Sequence, residues 1–402
     1  MVIGALLLFD QRLALETVDE LARSKLVPHR RFRQHVVETP HRFGRPSWRD
    51  EAAFDLRAHV RKLNLPEPAD AAALVSLAGE GMSAPLPRDR SPWSFDLVDL
   101  APAGSALLVR IHHCIADGRA LVALLGELAD EAPRAEETTP HRPPPSPELH
   151  RWGGWLGQLT GLFRFLTLSG DPESALRRPV GGRKRIAWSE PISLDSIKAI
   201  AMSRGHHVTD VLLAGVAGAL DRHARDQGQA SRSVRALFPV ALPSRSSADG
   251  VGNHYASVFI RLPIAVADPQ ARIEAIAREM TILRTWGESR MAIGLTRLAG
   301  SVAPAIERRA MRRWSRRASL VVSSLAGPTA PLRVAGQPIR SIVVWAPAPA
   351  SIGLSLTFFG YAGALRLGVL ADDAVIDRPE ELVAAFQAAI DELARGVPPI
   401  GG

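Results

Sequence analysis

The chain has a single cysteine, Cys114, in 402 residues. No intrachain disulfide can form, and metal sites built from several cysteines are excluded. A reducing interior is the natural setting for such a chain. Tyrosine is almost as scarce, with two residues, and aromatic content is 5%. Basic residues are not interleaved with aromatics, so the net charge of +8 does not read as a nucleic-acid footprint. It favours other anionic partners, either lipid headgroups or a phosphorylated cofactor. Long apolar runs are missing too. None approaches the ~18 residues that a membrane-spanning helix needs. The opening stretch Met1–Asp10 lacks a basic n-region and a small-residue cleavage site, so it reads as a buried strand rather than a signal peptide.

What the chain does have is apolar mass, at 46% hydrophobic and 22% charged residues, enough for two or three domains or one two-lobed body. Residues 1–130 alternate short apolar runs with helical patterns, as an α/β or α+β lobe does. Residues 131–182 form a connection. It opens with Glu136 and Glu137 and the prolines 140, 143, 144, 145 and 147, a density that no helix or central strand tolerates. It continues with the glycine-rich, aromatic stretch Trp152–Leu166, read either as an internal helix hairpin or as an element lying in a lipid surface. Residues 183–402 form a second lobe. Helices are expected at 195–202, 209–223 (with Thr209 as N-cap), 268–285 and from Pro379 onward. Strands are expected at 234–240, 255–262, 319–323, 341–345, 352–359 and 364–370.

The sharpest chemical signal lies between the short strand Leu107–Ile111 and the helical face of Leu121, Leu124, Leu125 and Leu128. There the chain reads His112-His113-Cys114-Ile115-Ala116-Asp117-Gly118. Histidine suits proton transfer near neutral pH, and a strand-end turn projects it from a rigid scaffold. Gly118 allows a close backbone approach or a positive φ. Cys114 is a candidate thiolate, but neighbouring side chains on an extended stretch point to opposite sides, which favours a packing role.

With its surroundings this motif resembles the bacterial wax ester synthase/diacylglycerol acyltransferase family, over nearly the whole chain. Ile3–Phe9, Phe32-Arg33-Gln34, Gly44-Arg45-Pro46, Phe54-Asp55-Leu56 and His59-Val60 precede it in the family's order. Arg183-Lys184-Arg185, Pro239-Val240, Arg245, Gly252-Asn253, Gly327-Pro328, Pro331-Leu332, Gly353-Leu354 and Tyr361-Ala362-Gly363 follow it. The motif itself is shared in form with chloramphenicol acetyltransferase-like enzymes. The resemblance implies an α/β (α+β) fold of two such lobes, each a mixed sheet with helices, with a tunnel at their interface. It implies direct transfer of a long-chain acyl group from acyl-CoA to a diacylglycerol or fatty alcohol. His113 would be the general base, His112 a supporting residue, and Asp117 structural. A pairing of Asp117 with Arg245 is a separate expectation, beyond what the resemblance implies. Acyl-CoA is then a co-substrate, and neither a metal nor a redox cofactor is needed.

Departures from the family pattern stand at Ser91-Pro92-Trp93, at Thr209-Asp210 and at Ser324, where the family has Pro-Leu-Trp, Asn-Asp and an asparagine. The chain also starts later than is usual. Asn253, Thr209, Asp210, Ser324, Gly327 and Pro328 are expected to support substrate or structure. A carrier protein with weakened catalysis, and an enzyme of the same fold with a different acceptor, are the competing readings. Arg308, Arg309, Arg312, Arg313, Arg316 and Arg317 form a cationic helical stripe: a solvated face, a dock for anionic lipid, or a site for the CoA phosphates. The expected location is cytoplasmic, in peripheral contact with the membrane or lipid inclusions. Trp93, Trp345 and Phe358 are read as core rather than tunnel wall.

Overall fold

The computed structural model describes residues 1–38, 46–131, 171, 175–229, 232–241, 253, 255–285, 304–349, 351–395 and 397. The first part of the chain forms β1 (Val2–Phe9), α1 (Leu15–Leu21), β2 (Gln34–Val37), β3 (Ser47–Asp50), β4 (Val60–Leu63), α2 (Ala71–Ser83), β5 (Trp93–Leu100), β6 (Gly104–His112) and α3 (Gly118–Leu128). After the connection come β7 (Lys184–Trp188), β8 (Ile192–Ser193), α4 (Leu194–Ser203), α5 (Val208–Asp226), β9 (Val234–Ala241), β10 (Tyr255–Leu262), α6 (Pro269–Thr285) and α7 (Pro304–Ser315). The rest is β11 (Leu320–Ala326), β12 (Arg333–Val334), β13 (Gln337–Trp345), β14 (Leu354–Tyr361), β15 (Ala364–Asp372) and α8 (Pro379–Ala394). Trp152–Leu166 and most of the proline-rich connection lie outside the described residues.

Two mixed sheets result. The first has the order β12-β13-β1-β6-β5-β4 and the second β10-β9-β11-β14-β15-β7, with β8 beside β15. β1 is apolar along its whole length because it is a central strand, with β6 on one side and β13 on the other. β13 comes from the C-terminal part of the chain, and its Trp345 stands opposite Gly4. The expected division at residue 183 is therefore crossed in space: residues 333–345 complete the first sheet. Leu6, Ile186, Val343, Trp345 and Leu370, from both sheets, form one buried cluster with Met82 of α2. Trp93, Trp345 and Phe358 are all buried.

α5 is buried on nearly every side from Asp210 to Leu220, held between the second sheet and α8. Its N-terminus differs from expectation. His207, not Thr209, is the capping position, and Asp210 Oδ2 accepts from the His207 backbone N–H at 3.0 Å. An acidic residue three positions into a helix reaches back to the cap, which sets the start two residues earlier. The triad at 183–185 is a sheet edge: Lys184 Nζ donates to the buried Asp372 carboxylate at 2.9 Å. Among the described residues no helix is long and apolar enough to cross a membrane.

Candidate active site

The paired histidines sit where β6 leaves the first sheet. The His113 backbone N–H donates to the Met1 carbonyl at 2.9 Å, and Ile115 N–H closes a turn on the His112 carbonyl at 2.9 Å. The buried Asp117 then caps α3, its Oδ1 accepting from Ala120 N–H at 3.0 Å. This is the local work of an N-cap aspartate. Gly118 does not take a positive φ. Its bare Cα admits Leu325 of β11, whose Cδ2 would lie 2.8 Å from an added Cβ. Strand, turn and helix thus fix the motif within the first lobe, while Leu325 ties it to the second.

The second lobe reaches His113 through Asn253 and Tyr255. Asn253 Nδ2 donates to the His113 carbonyl at 2.8 Å, which turns its Oδ1 toward His113 Nδ1 at 2.7 Å. An amide oxygen only accepts, so Nδ1 carries the proton and Nε2 keeps a free lone pair. Burial pushes His113 below the usual histidine range, against the Asn253 hydrogen bond and the charge of Asp117. The Tyr255 ring lies 5.1 Å from the imidazole, and burial with the nearby Asp117 raises its phenol.

His112 has the opposite arrangement. Its Nδ1 accepts from the Cys114 backbone N–H at 3.2 Å, and its Nε2 stands 3.0 Å from the Met1 amino nitrogen. Burial brings its pKa down to about 4. Cys114 Sγ lies 3.0 Å from the same Nδ1, and burial raises the thiol to about 11. A thiol so protonated is a poor nucleophile at neutral pH.

Beside the motif, an apolar pocket opens between α3 and the first sheet. Ile3, Ala5, Ile111, Val122, Leu325 and Phe359 are among its walls, and Gly118 lies at its border with the histidine turn.

The other expected residues divide. Ser324 is exposed on β11, one position before Leu325. Gly327 and Pro328 are backbone ties: Gly327 N–H donates to the Gly360 carbonyl at 3.0 Å, and the Pro328 carbonyl accepts from Ala362 N–H at 2.9 Å. Thr209 and Asp210 open α5, and Arg245 lies outside the described residues. Tyr255 was not among the expected site residues. Its signal was faint: one of two tyrosines, two positions after Asn253, at the start of a strand.

The comparisons with known proteins agree over most of the chain. The family model of the wax ester synthase/diacylglycerol acyltransferase catalytic domain matches residues 1–170, and that of the WS/DGAT C-terminal domain matches residues 251–394. A Mycobacterium tuberculosis protein named a probable diacylglycerol O-acyltransferase is 24% identical over 397 residues, spanning 92% of this chain and 86% of that one. The wax ester synthase/diacylglycerol acyltransferase from Marinobacter aquaeolei VT8 has a similar structure, with TM-score 0.71, 20% identity, and coverage of 98% of this chain and 94% of that one. The first condensation domain of the calcium-dependent antibiotic synthetase, in complex with a substrate analogue, follows with TM-score 0.63, 18% identity, and coverage of 100% and 92%. At these identities the two structures bear on the fold alone.

Proposed function

The chain belongs to the wax ester synthase/diacylglycerol acyltransferase family, and from that premise we propose that it moves a long-chain acyl group from acyl-CoA to the hydroxyl of a diacylglycerol or fatty alcohol. The observation that carries this reading is the hydrogen bond between His113 Nδ1 and Asn253 Oδ1. It leaves Nε2 as an acceptor, and burial keeps the ring neutral, the form a general base must have.

The steps balance without a covalent intermediate. His113 Nε2 takes the proton of the acceptor hydroxyl as its oxygen attacks the thioester carbonyl carbon. The carbonyl re-forms as the carbon–sulfur bond breaks. The imidazolium then returns the proton to the departing CoA thiolate. Holding both substrates together supplies much of the rate. The protonated Cys114 offers no competing route through an acyl-enzyme. The cavity beside α3, walled by apolar side chains, supports an acyl group as the transferred unit. Asp117 acts through the placement of α3. We infer peripheral contact with a membrane or lipid inclusion, where such acceptors reside.

The test is transfer of labelled palmitoyl from CoA to hexadecanol and, separately, to a diacylglycerol. His113→Ala is expected to reduce either product by ~10²–10⁴-fold, and the acceptor ratio assigns the activity. A wild type that binds acyl-CoA but forms no ester with either acceptor would favour a carrier or a different acceptor.

A further inference from the structure

The mechanism leaves one charged surface unused. Arg309, Arg312 and Arg313 are exposed on α7, and Arg316 is exposed just past its end. Among the described residues, none of the four has an ion-pair partner. Burial and the charge of Arg313 hold the neighbouring Arg317 below its ordinary range. Cations crowded without counterions are poised for a polyanion.

β10 connects this surface to the catalytic histidine. Tyr255, at its start, lies 5.1 Å from His113; Phe259, on the same face, lies 5.3 Å from Trp314 of α7. The two contacts are four positions apart along the strand, about 13 Å. Arg261 follows on that face and is exposed. In CoA, roughly thirteen bonds join the sulfur to the diphosphate, about 15 Å when extended. A thioester at His113 whose arm follows β10 therefore sets its phosphates beside α7.

We propose that Arg312, Arg313 and Arg316, with Arg261, form the phosphate-binding site for the CoA portion of the donor. This rests on the reading of acyl-CoA as donor. Guanidinium forks match phosphate oxygens two at a time. Phospholipid headgroups carry the same group, but the match between the β10 span and the CoA arm favours CoA.

The test compares the full-length wild type with Arg312→Glu/Arg313→Glu, using calorimetric binding of CoA and of pantetheine, which lacks phosphates. The expected result is a CoA Kd about tenfold weaker or more in the variant. The ratio of kcat/KM for palmitoyl-CoA over palmitoyl-pantetheine should fall by a similar factor. Arg312→Gln/Arg313→Gln should show a smaller loss in the same direction. A wild type that binds CoA no tighter than pantetheine overturns the proposal. So does a variant with unchanged CoA affinity that has lost binding to phosphatidylglycerol vesicles, since the stripe then serves a lipid surface. CoA binding lost in the variant, with no palmitoyl transfer by wild type, would uphold this site and sink the acyl-transfer reading instead.

Discussion

Asn253 holds His113 by two hydrogen bonds, one to the imidazole at 2.7 Å and one to the backbone carbonyl at 2.8 Å. The second bond orients the amide, and the orientation selects the tautomer. Asn253→Ala should therefore lower kcat by roughly 10- to 100-fold while the fold persists, since Asn253 is exposed. Asn253→Asp keeps the acceptor but adds a negative charge, which favours the imidazolium. Its acidic pH–rate limb should move to higher pH. An unchanged limb in the aspartate variant would mean that Nδ1 is not held by this side chain.

The wild-type pH profile follows from burial. As the proposed general base His113 must be neutral to act, and its pKa is depressed, so the acidic limb of kcat/KM should lie below the ordinary histidine value of ~6.5. His112 bears on stability instead. Its folded pKa is about 4, below the unfolded value, so between roughly pH 6.5 and pH 4 the unfolded chain binds the extra proton. Stability should fall as pH drops through that window. Denaturation midpoints measured across it, for wild type and His112→Gln, would check this: the variant should show the shallower fall.

Val122 of α3 is part of the cavity wall. Val122→Phe fills space that a chain would occupy. With ~0.8 kcal/mol per buried methylene, losing room for two should cost a long chain about tenfold. The palmitoyl-CoA to octanoyl-CoA ratio of kcat/KM is expected to fall by that factor. An unaltered ratio would place the acyl chain elsewhere.

Much of the site is legible in sequence because it is local. The apolar run at 107–111, the leucine spacing from 121 to 128 and the polar interruption between them together mark a histidine projected at a strand-to-helix corner. Asp117 reads as structural from the same stretch, and its role as the cap of α3 comes from the fold. The start of α5 reads two residues late from sequence: the hydroxyl of Thr209 draws the cap to itself, whereas the folded chain pairs Asp210 with the His207 backbone. The Tyr255 contact and the joining of β13 to β1 are different in kind. They link residues far apart in the chain, and nothing in either segment's own pattern specifies its partner. Gly118 shows the same limit. Its identity signals a close approach, but only the folded chain names Leu325 as the neighbour.

The place of β13 also governs how the protein is assembled. β6 follows β1 within about a hundred residues of synthesis, but the other edge of β1 stays open until residues 337–345 have been made. Through most of synthesis an apolar strand presents unpaired backbone groups, the arrangement most prone to pairing with the wrong chain. The histidine turn leans on that strand through the Met1 carbonyl. The proposed catalytic centre therefore stays incomplete until nearly the last strand is in place, and a nascent chain released early is an aggregation hazard rather than a half-enzyme.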